Sequence, residues 1–385
     1  MKTLSSRERV KIALDHKEPD RVPCDITIAP DAYMELCKYT GIPYEPFWWD
    51  DGNHAYPSPE MLELLHVDVM HVPINFTPPG FTIKDNTVVD PFGITKKKIV
   101  SNDGWFSYVM VTNPLKDAES VEDILNYKWP TPEDLLDFTG VKDLVKSYYE
   151  NTEYALTTYV GGHIFEGAHF LRGMQEFMMD FYDHPDIVCA LMDKILEVNL
   201  GFDALFLKEA GQYMSYIRLN GEDMGTQNGP MISLEIFDEF IRPRLEREWR
   251  AFKDEYTKVN AEGKLAIHTC GGIYPFISSY IDMGADILNP VQPNAKGMDT
   301  KQIKMEFGKK LSFHGGIETQ ETLTEGDRGK IREEVKRRIR DLGPGGGYIC
   351  APSHNIQFGM KPEAILALYE AIHEFGKYPI IERKD

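Results

Sequence analysis

Short apolar runs alternate along the chain with long amphipathic stretches. The runs predict strands at Val67–Ile74, Tyr154–Val160, Ser215–Leu219, Leu265–His268, Ile287–Asn289, Leu311–His314 and Gly347–Cys350. Between them, apolar positions at helical spacing predict helices at Pro185–Ala210, Ser233–Tyr256, Ile273–Met283, Lys301–Phe307, Lys330–Leu342 and Pro362–Phe375. Residues 91–112 read as an inserted hairpin. Residues 1–60 read as an N-terminal extension, with Ser5 or Ser6 capping a helix that runs to about His16 before a proline-rich stretch. Strand–helix alternation implies a parallel sheet with helical crossovers. The number of units favours an α/β fold of the (β/α)8 TIM-barrel type with an N-terminal helical extension. A doubly wound sheet is the alternative. With no low-complexity tract or Gly/Ser linker, residues 1–385 are expected to form one domain.

Composition narrows the partners. Lys+Arg 42 against Asp+Glu 61 gives a net charge of −19. Such a surface argues against nucleic acid or an anionic membrane and leaves a small molecule or a protein as partner. A homodimer is compatible with it. Five widely spaced cysteines fit free or metal-bound thiols in a reducing compartment better than a disulfide framework. The polar start and the absence of a long apolar run point to a cytoplasmic protein.

The strand ends carry the chemistry. In a barrel, the segments 220–223, 268–272, 314–318 and 351–355 converge at the C-terminal face, where catalytic groups of this fold sit. His268-Thr-Cys270 places an imidazole and a thiol on one strand face, a set suited to Zn2+; the ordinary alternative is a buried His beside a buried Cys. Cys350 and His354, in Gly-Gly-Tyr-Ile-Cys350-Ala-Pro-Ser-His354, are alternative completions of that site, with His354 nearer the mouth. In His314-Gly-Gly-Ile-Glu318 the glycines permit close approach of a ligand. Glu318 is there a ligand, base or orienting partner, or else a helix cap. Glu222 and Asp223, with Gln227 downstream, offer carboxylates and an amide at a strand end, where turn chemistry is the rival reading. Tyr159, Glu166 and His169 belong to a strand-to-helix segment and suit substrate binding or wall-lining, and His314 is a further candidate for substrate contact. Trp48 and Trp49 suit either a flat apolar ligand or plain packing. No Walker loop, GxSxG, HExxH or dinucleotide fingerprint occurs.

Stretches across nearly the whole chain resemble the uroporphyrinogen-decarboxylase-like superfamily: RERVKIALDHKEPDRVP, EGAHFLRGMQEFMMD, GTQNGPMISLEIFDEFIRPRL, HTCGGIYPFI, MGADILNPVQPNAKGMD and GGGYICAPSHNIQ. The resemblance implies a (β/α)8 barrel. Decarboxylases proper carry an arginine-rich MRQAGRY segment, where this chain reads CDITIAPDAYMELC. They also carry an early catalytic Asp, where this chain reads MHVPIN. The corrinoid-linked methyltransferase branch has a zinc pattern His-x-Cys followed by a distant Cys. His268 and Cys270 match its first half, and His354 stands at the last position, with Cys350 as a displaced substitute. A second pattern, from the methyltransferase component of phenyl-methyl-ether O-demethylases, is matched in spacing by Glu318, Glu333 and His354. The resemblance thus implies a zinc-dependent methyltransferase. It would move a methyl group from a small donor, first of all a phenyl methyl ether, to the cobalamin of a partner corrinoid protein. The alternatives are the reverse transfer to a thiol, a metal-free decarboxylase-like lyase, and a corrinoid- or tetrapyrrole-binding chaperone.

Overall fold

A computed structural model describes residues 4–46, 54–74, 80–102 and 105–380. Trp48 and Trp49 lie outside these residues. Parallel strands run in chain order around a ring: Val69–His71, the interrupted pair Ala155–Thr157 and Tyr159–Gly162, then Tyr216–Asn220, Lys264–His268, Ile287–Val291, Ser312–Ile317 and Tyr348–Pro352. The extended segment 24–28, read above as part of the N-terminal extension, closes the ring as its eighth strand. Cys24 bridges Cys350 and Ile28 bridges Ile356, both in parallel sense. On its other side, Asp68 N–H donates to the Cys24 carbonyl at 2.9 Å. The result is a (β/α)8 barrel.

Strand parity sorts the side chains into layers. Val69, Ala155, Tyr216, Ala266, Ile287 and Ile349 form a buried cluster of their own with Val10 and Leu14 of the helix Ser6–Leu14. This is the barrel floor, plugged from below by the N-terminal helix. Ser5 and Glu8 close that helix with a reciprocal capping box, at 3.1 and 2.8 Å. Two residues further along the same strands, the inward positions turn polar: His71, Arg218, His268 and Asn289.

The outer helices follow the apolar spacing, and Pro185–Ala210 and Pro362–Phe375 have the expected ends. The expected helix at 233–256 is instead three pieces, Leu234–Ile236, a π turn Phe237–Ile241 and Arg242–Val259. Pro243, which has no N–H to give to the preceding turn, accounts for the break. The insertion is larger than a hairpin: Thr82–Lys84, Thr87–Val89, Thr95–Val100 and Phe106–Met110 make a four-stranded antiparallel sheet. No described helix is long and apolar enough to cross a membrane.

Candidate functional site

At the C-terminal mouth, His268 Nε2, Cys270 Sγ and Asp223 Oδ1 form the one cluster, among the described residues, in which three metal-ligating atoms lie within 4.8 Å of one another. His268 Nε2 is 3.5 Å from Cys270 Sγ and 3.7 Å from Asp223 Oδ1. The same Asp223 oxygen accepts the Cys270 backbone N–H at 2.8 Å. Glycine chemistry holds this corner together. Gly271 has φ +86°, and a Cβ there would meet the carbonyl carbon of Gly225 at 2.4 Å. The loops after two neighbouring strands therefore touch backbone to backbone, and Gly272 N–H donates to Thr226 O at 2.8 Å. Gly221 does the same for Glu166: a side chain there would come within 2.5 Å of the Glu166 carboxylate and 3.5 Å of the His268 ring. Glu166 thereby sits beside the cluster, and its Oε2 pairs with His163 Nδ1 at 3.0 Å.

The proton on His268 can be assigned from its neighbours. Asn289 Oδ1 lies 3.0 Å from Arg218 Nη1 and 2.6 Å from His268 Nδ1. A guanidinium only donates, so the atom facing it is the amide oxygen, and His268 Nδ1 must carry the hydrogen. Its Nε2 lone pair then faces Cys270 and Asp223. Burial, with the charge of Arg218 adding, pushes the His268 pKa down to about 3, so the ring is neutral. Burial likewise pushes the Cys270 thiol well above its ordinary value, reinforced by the negative charge of Asp223.

The chain of bonds continues down the lumen. Asn289 Nδ2 donates to His314 Nδ1 at 2.6 Å, and His314 Nε2 then donates to Asp25 Oδ2 at 2.8 Å. His71 Nε2 meets the same carboxylate oxygen at 2.9 Å. Burial alone would raise the Asp25 pKa. The charge of His71 and the hydrogen bonds of both imidazoles outweigh it and hold the carboxyl well below its usual range.

Other expected residues sit elsewhere. Glu222 turns away from the lumen and accepts the Ile164 and Phe165 N–H groups at 2.5 and 2.8 Å, capping the helix Ile164–Arg172 from a neighbouring strand. Burial, with Glu248 adding, raises its pKa well above normal. Glu318 spends its carboxylate on the N–H groups of Gln320, Glu321 and Thr322, the last at 2.7 Å; it acts as a helix cap. Gln227, Glu318 and His354 line a separate cavity of about 400 Å3, and His354 is exposed there. Cys350 has the opposite parity to Ile349 of the floor. Its thiol is buried in the core between barrel and helices, where burial pushes it up to about 12, and it is not brought to the cluster. Glu333 is exposed on the helix Arg328–Leu342. His169 packs its ring against Phe165 and Phe170. Tyr159 lies under Arg218, whose guanidinium carbon is 4.1 Å from the ring centre. Arg218, Asn289, Asp25 and His71 were not anticipated. Their shared signal is a polar residue at an inward strand position, which needs the strand order to be recognised.

The comparisons agree with this architecture. The family model "Uroporphyrinogen decarboxylase (URO-D)" matches residues 107–375. A uroporphyrinogen decarboxylase of Saccharophagus degradans is 25% identical over 287 residues, 73% of this chain and 71% of the relative. One from Schizosaccharomyces pombe is 25% identical over 149 residues, 38% of this chain and 39% of the relative. Among solved structures, a methyltransferase from Methanosarcina mazei superposes with a TM-score of 0.68 at 19% identity, covering 97% of this chain and 99% of its own. With most of the chain inside the family model, and the same fold found in that methyltransferase, this protein belongs to the uroporphyrinogen decarboxylase family.

Proposed function

We propose that the chain is a zinc-dependent methyltransferase that moves a methyl group from a small methylated donor to the cobalamin of a partner corrinoid protein. The observation that carries the reading is the His268–Cys270–Asp223 cluster with the imidazole lone pair turned into it. Imidazole, thiolate and carboxylate form a donor set that fits Zn2+, and Asn289 orients the imidazole as partners of metal-bound histidines do. Asp223 takes the third place that the sequence offered to His354 or Cys350. Bound there, Zn2+ would supply Lewis acidity to the heteroatom bearing the methyl group. The chain's own residues do the positioning. Asn289 holds the ring and its tautomer, Asp223 holds the Cys270 backbone, and Glu166, in the first turn of the helix Ile164–Arg172, sits beside the same space. A phenyl methyl ether is the first candidate donor. That the Methanosarcina mazei protein of the same fold is a methyltransferase supports the reaction class.

Free cob(I)alamin tests it, given methoxybenzene or 4-methoxybenzoate as donor; the readout is loss of the Co(I) absorbance with at least one of them. Zinc-loaded wild type should accelerate that loss and Cys270→Ala should not. Equal rates with and without enzyme, or an undiminished Cys270→Ala, would overturn the reading. Methylcobalamin with a thiol, run in parallel, reads the reverse direction. A metal-free lyase is the second reading, supported by the names of the sequence relatives. A substrate with several carboxylates calls for several arginines, yet the eight strands contain only Arg218.

A further inference from the structure

Arg218 is 8% exposed, yet among the described residues its one hydrogen bond goes to a neutral amide oxygen, Asn289 Oδ1 at 3.0 Å. Among the described residues its Nε–H has no partner and it forms no ion pair. A buried guanidinium without an anion is costly to keep, and five donors in a planar fork are suited to one ligand above others, a carboxylate held by two parallel bonds. The guanidinium carbon sits over the Tyr159 ring, 4.1 Å from its centre. The Tyr159 ring is itself flanked by the rings of His71 and His54, at 5.2 and 4.6 Å between centroids. Asp25, a fully buried carboxylate in the lumen, is already served by His71, His314 and Tyr216.

We propose that Arg218 is the anchor for an acid group on the substrate, so that the methyl carrier handled by this barrel is a small organic carboxylate rather than a neutral molecule. This rests on reading the barrel mouth as the substrate site. Arg218 and His268 share one acceptor, Asn289 Oδ1, from adjacent strands. A substrate whose acid end meets Arg218 therefore presents its other end at the His268–Cys270–Asp223 cluster. Tyr159, stacked under the guanidinium, positions the fork. The carboxylates of Asp223 and Glu166 at the mouth would repel an anion that lacked this counter-charge, which makes Arg218 the determinant of selectivity.

Isothermal titration tests the proposal with two pairs of probes, 4-methoxybenzoate against 4-methoxybenzamide and 3-(methylthio)propionate against its amide. In at least one pair wild type should bind the acid about 10- to 100-fold tighter than the amide, the worth of a charge-assisted bidentate contact. Arg218→Met should erase that preference and Arg218→Lys should keep part of it. Ligand-free Arg218→Met should melt at or above the wild-type temperature, because it removes an unpaired buried charge. The proposal is overturned if neither acid outbinds its amide, if the preference survives in Arg218→Met, or if Arg218→Met melts far below wild type and Arg218→Lys restores stability without acid preference. Zinc content measured on the same samples separates the two claims. Acid preference without zinc leaves Arg218 standing and removes the metal reading, and zinc without acid preference does the reverse.

Discussion

Replacing Asn289 by leucine tests how the site is held. The side chain makes three contacts: it accepts from His268 Nδ1 at 2.6 Å and from Arg218 Nη1 at 3.0 Å, and it donates to His314 Nδ1 at 2.6 Å. Asn289→Leu keeps the volume and orphans all three groups, at about 1–3 kcal/mol each where water cannot replace the partner. Freed from Asn289, the His268 ring can turn or change tautomer, and Nε2 no longer faces Cys270 by default. Loss of such an orienting partner weakens metal binding by about 10- to 100-fold. Asn289→Asp keeps both acceptor contacts and loses only the donor to His314, so it should retain most of the affinity. Competition for zinc against a chromogenic chelator measures this, with circular dichroism to verify folding. A folded Asn289→Leu that binds zinc like wild type would refute the reasoning. So would an Asn289→Asp as weak as the leucine variant.

Other outcomes follow from the same geometry. Cys350→Ala should keep the wild-type zinc content and lose about 1–2 kcal/mol of stability, since the thiol fills the layer between barrel and helices; loss of zinc would show that the thiol reaches the cluster. Glu318→Ala should cost about 0.5–2 kcal/mol as a lost cap and leave zinc content unchanged, read by thermal melting and elemental analysis. Burial pushes Glu248 from 4.5 up to about 7, against the hydrogen bond from Asn199, which pulls it down. With its folded value raised, its stabilising share is complete below pH 4.5 and is lost as pH rises through about 7. Glu248→Gln should therefore melt higher than wild type at pH 8 and close to it at pH 4.5, and an equal difference at both pH values would contradict that assignment.

The strand–helix alternation was legible because each strand is a short apolar run between turn signals. His268 and Cys270 were legible because their two-residue spacing survives any placement of the strand. Segment 24–28 was not. It contacts its neighbour Tyr348–Pro352 through a parallel bridge and a few backbone bonds, and prolines flank it, so local pattern reads as loop. Asp25 was hidden with it. Glu222 and Asp223 stand side by side at a strand end in sequence. One turns to the start of the helix Ile164–Arg172 and the other to Cys270, and only the fold tells them apart. Arg218 and Asn289 acquire their roles from adjacency of three strands, Tyr216–Asn220, Lys264–His268 and Ile287–Val291, which no spacing along the chain encodes. Glu318 and His354 follow strands as expected, and both line the neighbouring cavity.

The most direct test of the central claim is zinc per chain by elemental analysis, on wild type and on Cys270→Ala, Asp223→Asn and His354→Ala. The expected result is about one zinc in wild type, its loss in Cys270→Ala, a marked reduction in Asp223→Asn and no change in His354→Ala. Wild type purified without chelator and free of zinc, or zinc that persists in Cys270→Ala, would contradict it.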